Sequence, residues 1–538
     1  MRQSDSPNRP IPDVSEKTHR EGTSARRVAI NTISNWVALG AQVGTAMFLL
    51  TYIFRYFDEE HFGIYRLAVS LSAAVSFFSF GMSASVLRLA SESLAAKAWD
   101  RLSDVLSVSR TLLVLVAVVG LAVVVAISFV GLDLLKVPKD DQPGAALLIQ
   151  MTGLAAALEL VFAVYGGALR ARQRYDLANT VLVGQVVLQA VFIVVCFEVG
   201  WVSLEVLGLG RLLMTALAMV VYVVMTRRIL PQVRLSFRRF KRSVVWGVVS
   251  FSVWTGIKNA TRITLEQIGV PIVSATLGVA AVAAIAVPQM LSQYLLQMAG
   301  GLTATLWPIA AQYAFQGRRE SLARLYRIGT RLVMMMMVPA MAVLVTHGRP
   351  LIWALKPELV WTYNLALLYV GLFLARGAML AGDHIILASG SIRSVVISQV
   401  LAVVAAVPLA LGVAVWTKWG LYGVVVALFV PFAIQSLVYL PYRIRVETGV
   451  GYGETFLGCM AGPVAGGAVP LAVGWVLAWV WPPSSLWLVL LQSALCVAVY
   501  WAVAWFWIFS REEQDLVRRV FRRSPAAEAA EGVPGSGL

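Results

Sequence analysis

Fourteen stretches of predominantly apolar sequence alternate with short polar connections along the 538 residues. Each is long enough, as a helix, to cross roughly 30 Å of hydrocarbon. They lie near residues 28–54, 62–90, 105–131, 143–169, 178–199, 203–226 and 245–274, then near 281–315, 326–349, 360–388, 394–416, 419–441, 455–480 and 485–509. Numbered in order as spans one to fourteen, they predict an all-α polytopic membrane protein of about 14 transmembrane helices, because a backbone in hydrocarbon must satisfy its own hydrogen bonds.

The polar positions between the spans are not evenly distributed. Of 44 Lys and Arg, 33 fall in the N-terminal tail, the C-terminal tail and every second connection. One miscounted span would invert all later loops, so the unbroken alternation supports fourteen spans and places the basic side, with both tails, in the cytoplasm. The polar stretch 1–27 lacks a short apolar region closed by a small-residue cleavage site, so it reads as a disordered tail ahead of a retained helix. The Pro-, Ala- and Gly-rich end from Ser524 reads as disordered too.

Composition adds to this picture. Hydrophobic residues make up 59% and charged residues 13%, far below the quarter charged in soluble domains. In a soluble chain a net charge of +16 would suggest nucleic acid; here the basic residues flank spans beside an anionic leaflet, and no nucleic-acid partner is expected. Cys196, Cys459 and Cys496 stand alone within apolar spans, which suggests neither a disulfide framework nor a metal site. Trp479, Trp481 and Trp487, with Tyr500, Trp501, Trp505 and Trp507, cluster at the ends of the last two spans as interfacial anchors.

The two halves repeat. Spans starting at 28, 105, 178 and 203 correspond to spans starting at 245, 326, 394 and 419, and the turn LRARQRYD around Arg174 corresponds to LASGSIRS around Arg393. Six helices per unit return the chain to its starting side, so the copies are parallel repeats about an axis along the membrane normal. The expected organisation is a tail 1–27, an N-lobe 28–226 (spans one to six), a basic linker 227–244, a C-lobe 245–442 (spans seven to twelve), an added helix pair 455–509 and a tail 510–538. A ligand is expected between the lobes.

Ionisable residues within the spans narrow the chemistry, since each costs about 3 kcal/mol or more near the bilayer centre unless it faces protein or water. Span seven carries Lys258, Arg262 and Glu266 at i, i+4 and i+8, one helical face. Two readings are open for them: Arg262 with Glu266, and Lys258 with a neighbouring carboxylate, as structural pairs, or a cationic stripe lining a cavity. Span ten carries Arg376 near mid-depth, then Asp383 and His384, which could relay a proton or cation or simply cap the helix. Arg66 and Arg211 lie in the outer halves of spans two and six, and Glu159 near the middle of span four. The excess of Lys258, Arg262, Arg376 and Arg211 over Glu159 and Glu266 favours an anion, and planar guanidinium groups suit phosphate.

Other chemistry is missing. There is no G-x-x-x-x-G-K-[ST] phosphate loop, no nucleophile elbow and no His/Glu pair at metal-ligand spacing in the sequence. No cofactor is expected. Met334 to Met337 encircle a helix, as apolar filling does, and the glycine pairs 166–167, 300–301 and 466–467 suit close packing or bending.

Three stretches carry a resemblance. FDEEHFGIYRLAVSLSAAVSFFSFGMSASVLRLASE, residues 57–92, resembles the second-span signature of polysaccharide-repeat-unit (O-antigen type) flippases of the multidrug/oligosaccharidyl-lipid/polysaccharide exporter superfamily, at Phe62, Gly63, Tyr65, Gly81, Met82, Arg88 and Glu92. ESLARLYRIGTRL (320–332) and LASGSIR (387–393) are similar to further stretches of that family. Arg66 departs from the signature, so its role rests on position alone. The resemblance implies a non-enzymatic flippase of the bacterial inner membrane. It would move polyprenyl-diphosphate-linked oligosaccharide by alternating access for O-antigen, exopolysaccharide or capsule assembly, alongside polymerase and assembly proteins. On that reading Lys258, Arg262, Arg376, Arg66 and Arg211 contact substrate, and Glu266, Asp383, His384 and Glu159 are candidates for ion or proton coupling.

Three rivals differ in what they require. A cation-coupled multidrug or metabolite antiporter of the same architecture should present carboxylates to its substrate. A polysaccharide-joining membrane enzyme should carry a large outer loop, whereas the longest here, near residues 131–143, is about a dozen residues. A lipid II flippase would share the cationic chemistry.

Overall fold

The structure, a computed structural model, describes residues 25–509 and Gln514, leaving out 78–81, 238, 240 and 305. Gly81 and most of the two tails therefore lie outside the described residues. All fourteen spans are helical. Spans one, three, four, five, six and nine are single helices: Ala25–Ile53, Trp99–Val130, Gln142–Ala171, Tyr175–Glu198, Leu204–Ile229 and Arg319–Leu355. Span eleven is Ile392–Trp416.

The other spans are segmented. Span two is Glu59–Phe77 and Met82–Ala95, span seven Arg242–Gln267 and Gly269–Leu277, span eight Ala280–Ala304 and Leu306–Phe315. Span ten opens on a 3-10 turn, Pro357–Thr362, and continues as Tyr363–Gly377 and Leu380–Ala388. Spans twelve, thirteen and fourteen each contain a π-helical stretch, at Gln435–Tyr439, Glu454–Ala461 and Ala504–Ile508.

Eleven spans among the described residues are long and apolar enough to cross a membrane. The remainder are two, seven and eight, the spans that face each other across the lobes. The break in span seven has a structural cause. Pro271 has no N–H for the carbonyl of Gln267 four residues earlier, and that carbonyl accepts instead from Ser70 Oγ of span two at 2.8 Å. The neighbouring Glu266 carbonyl accepts from the side-chain amides of Gln289 and Gln293 in span eight.

Helix starts at 25, 59, 99, 175 and 204 recur at 242, 280, 319, 392 and 420, so the repeat is present helix by helix. Spans one to six and seven to twelve form the two lobes. Spans thirteen and fourteen pack on span nine. There Gln492 bonds the buried His347 ring at 3.0 Å, and Tyr500 donates to the Pro463 carbonyl at 3.1 Å. Trp479 and Trp487 are more than 80% exposed, as interfacial anchors require. Met334, Met335 and Met337 are buried, and the three cysteines are buried and form no disulfide among the described residues.

Two ends of the bundle can be distinguished. The basic end carries the arginine-rich linker, and the far end the turns near 54–58, 131–141 and 356–362. The lobes are tied at the far end. Gly63, buried, sits so close to the Val279 carbonyl that a Cβ there would overlap it. Lys136 Nζ donates to the Thr276 carbonyl at 2.6 Å, Lys356 Nζ to the Phe54 carbonyl at 3.2 Å, and Ser274 Oγ to the Leu135 carbonyl.

At the basic end the linker lies along span three. The N–H groups of Arg234 and Ser236 donate to Ser103 and Ser107, both at 3.1 Å. Arg239 and Lys241 converge on the buried Asp104. In the turn after span four, a hydrogen bond from Arg174 holds the Asp176 carboxyl below its ordinary range.

Candidate functional site: two cationic cavities related by the repeat

Two cavities lie in the polar interior. The larger, about 590 Å³, is lined by spans one, two, four, five and six and by span eight of the other lobe. The smaller, about 280 Å³, is lined by spans seven, ten, eleven and twelve. Spans seven, ten, eleven and twelve are the repeat copies of one, four, five and six, so each lobe holds an equivalent hollow. Only the first reaches across to its neighbour.

The candidate residues divide between them. Arg66, Arg211 and Glu159 line the larger cavity, and Lys258, Arg262, Arg376, Asp383 and His384 the smaller. The candidates thus do not share one chamber: the larger cavity is walled by both lobes, while the span-seven and span-ten cations lie inside the C-lobe. The cause is helix direction: the lining residues of span seven face spans ten to twelve of their own lobe.

In the smaller cavity the charges are mostly paired. Lys258 Nζ lies 3.3 Å from Asp383 Oδ2, and Arg262 Nη1 donates to Glu266 Oε2 at 2.8 Å and Nη2 to Asn259 Oδ1 at 3.0 Å. Both structural pairings open to the sequence are thus formed, and both cations still line the hollow. Arg376 differs. It ends the first segment of span ten, makes no ion pair among the described residues, and has a buried Nη1 without a hydrogen-bond partner. Asp383 Oδ1 and His384 Nδ1 are likewise buried and unpartnered.

In the larger cavity Arg66 Nη2 donates to Gln289 Oε1 at 3.1 Å, and Arg211 Nη2 is 3.6 Å from Glu159 Oε2. Glu159 Oε1 also accepts from Gln185 and Thr215. Glu159 is the single carboxylate among the described lining residues, against Arg66, Arg170 and Arg211. The far end is stopped by buried Ile53 and Phe62, while Arg170 and Gln297 are exposed. The hollow therefore opens toward the basic end.

Arg170 was not among the sequence candidates because it sits in a basic turn, where topology explains an arginine. Five glutamines, Gln42, Gln185, Gln189, Gln293 and Gln297, also line this cavity. Their signal was legible: Gln185 with Gln189, and Gln293 with Gln297, are i, i+4 amide pairs within apolar spans. Among the described residues no group of three His, Cys, Asp or Glu could hold a metal ion.

Similarity to known proteins agrees with this architecture. The MatE family profile matches residues 41–195, which is spans one to five. None of the curated proteins matches the chain in sequence. Among solved structures, a multidrug resistance MATE family transporter of the MOP superfamily, outward-facing, superposes with a TM-score of 0.59 at 14% identity, covering 79% of this chain and 97% of its own. A eukaryotic MATE transporter gives 0.59 at 15% identity, covering 81% and 100%. The lipid II flippase MurJ, inward closed, gives 0.62 at 13% identity, covering 92% and 100%. At these identities the likeness is one of fold: a polytopic two-lobed bundle of the kind those transporters have.

Proposed function

We propose that this protein is a transporter that moves a polyprenyl-diphosphate-linked oligosaccharide across the cytoplasmic membrane, for assembly of a surface polysaccharide. The observation that carries the reading is the larger cavity, where three arginines outweigh one carboxylate on walls rich in amides. A diphosphate needs guanidinium groups, and sugar hydroxyls need amides that both donate and accept. The lipid tail would remain in the bilayer, and polymerase and assembly proteins would receive the cargo.

The far-end ties and the opening toward the basic end describe a bundle ready to load from that side. With the basic end in the cytoplasm, as the charge alternation indicates, loading is cytoplasmic and both termini are too. Transport by alternating access then requires the Gly63–Val279 contact to part. A lipid II flippase would use the same cationic chemistry. A cation-coupled drug antiporter fits less well, because its substrate would meet three arginines and a carboxylate already bonded to Arg211, Gln185 and Thr215.

The test is lipid mass spectrometry in a strain lacking the gene, complemented by Arg66→Gln or by the unaltered chain. Accumulation of a polyprenyl-diphosphate oligosaccharide, cleared by the unaltered chain and not by the variant, supports the reading. An unchanged lipid profile together with drug sensitivity would favour the antiporter.

A further inference from the structure

A third hollow, about 80 Å³, lies at the basic end between spans three, four and six and beneath the linker. We infer that it seats the phosphate of an anionic phospholipid headgroup from the adjoining leaflet. Arg110 and Arg227 line it with Tyr165 and Thr226, and Val233 and Leu235 of the linker close it. No carboxylate lines it, and neither arginine makes an ion pair among the described residues. The hollow is several times the roughly 10–15 Å³ that one water molecule requires, room enough for a phosphate group.

Two polar groups there await a partner. Thr226 is 4% exposed, yet its hydroxyl bonds nothing, although Thr51, Thr180 and Thr346 each donate to the carbonyl four residues earlier. Arg110 Nε is also buried without a partner. A buried hydroxyl and a guanidinium N–H that nothing satisfies are donors suited to an anionic oxygen. The carboxyl end of span six is nearby, so the attraction comes from the guanidinium groups and not from a helix dipole.

The lipid source follows from what surrounds the hollow. The ring centre of Phe237 of the linker lies 4.2 Å from the Arg110 guanidinium and the residue is 60% exposed, and Trp246, in the second turn of the helix that follows the linker, is 73% exposed. These apolar rings mark the level of the headgroups, where acyl chains can run beside them, and basic pockets between helices on this side of a membrane suit anionic headgroups. The linker backbone is held by Ser103 and Ser107, so the roof exists before any lipid arrives.

The experiment is native mass spectrometry of the purified full-length protein with phosphatidylglycerol or phosphatidylcholine, and with inorganic phosphate as competitor. The unaltered chain should retain phosphatidylglycerol selectively. Arg110→Gln with Arg227→Gln should lower that retention about tenfold, the effect of losing charge-assisted hydrogen bonds, and Thr226→Val should lower it less. Arg228→Gln with Arg234→Gln, outside the hollow, should leave it unchanged. Arg227 is exposed, so Arg227→Gln alone serves if the double variant does not fold. Equal retention by the unaltered chain and the hollow variants overturns the inference. Phosphate bound through Arg110 and Arg227 with no lipid retained overturns the lipid as source.

Discussion

Lys258 of span seven and Asp383 of span ten meet at 3.3 Å inside the C-lobe, each about a quarter or less exposed. The pair joins two spans that are both interrupted, and it leaves the second carboxylate oxygen of Asp383 buried and unpartnered. A partly buried pair of this kind is costly to break from one side, because the remaining charge stays uncompensated.

Lys258→Ala should therefore destabilise the protein, and Asp383→Asn on that background should recover part of the loss. A double-mutant cycle on thermal unfolding should give a coupling of about 1–3 kcal/mol. Zero coupling would mean that the two charges are solvated separately. If the pair also takes part in ion coupling, the swapped variant Lys258→Asp with Asp383→Lys should regain stability without regaining transport.

Arg262 and Arg376 should separate structure from transport. Arg262→Gln strands Glu266, so its stability loss should be relieved by Glu266→Gln. Arg376 makes no ion pair among the described residues, so Arg376→Gln strands no carboxylate there and should fold normally while lowering export of the lipid-linked sugar. Unimpaired export by Arg376→Gln, at normal protein level, would remove it from substrate handling.

Gly63 should control the far-end contact. Any side chain there meets the Val279 carbonyl, so Gly63→Leu should hold the lobes apart. Spin labels at positions 55 and 358, next to the Phe54–Lys356 hydrogen bond, should report a longer distance in this variant. An unchanged distance would show that the contact yields locally.

Ser70→Ala should leave the Gln267 carbonyl, freed by Pro271, without its donor. The expected loss is about 1 kcal/mol, read as a lower unfolding temperature. Adding Pro271→Ala, which restores an N–H to the helix, should reduce that loss; no reduction would mean that Ser70 acts elsewhere.

One tie should respond to pH. His61, in the polar first turn of the helix Glu59–Phe77 and just ahead of its apolar stretch, bonds Asp58 Oδ1 at 2.7 Å and approaches Asp141 Oδ1 at 3.4 Å. Burial disfavours its charged form, but the Asp58 hydrogen bond and the two carboxylates outweigh burial and raise its pKa. The tie is thus fully present below the ordinary histidine value near 6.5 and is lost as pH rises through the raised one. Replacing His61 by Gln should flatten the change in unfolding temperature across that window, and an unaltered slope would assign it to another group.

The sequence by itself determined the number of spans, their two-fold repetition and the surplus of cations within them, because hydrophobic length and loop charge are local properties of the chain. It also made both pairings of the span-seven charges conceivable. That both form, and which hollow each charge faces, depends on helix rotation and on partners carried by other spans. Asp383 reaches Lys258 and Gln289 reaches Arg66 across more than a hundred residues, the first within the C-lobe and the second only where the two lobes meet, and Glu159 reaches Arg211 from two spans away. The break beside Pro271 was written in the chain, yet its repair by Ser70 was not. Tertiary structure alone decided that the cations occupy two repeat-related chambers, because neighbouring helices, and not spacing along one helix, set what a buried charge can touch.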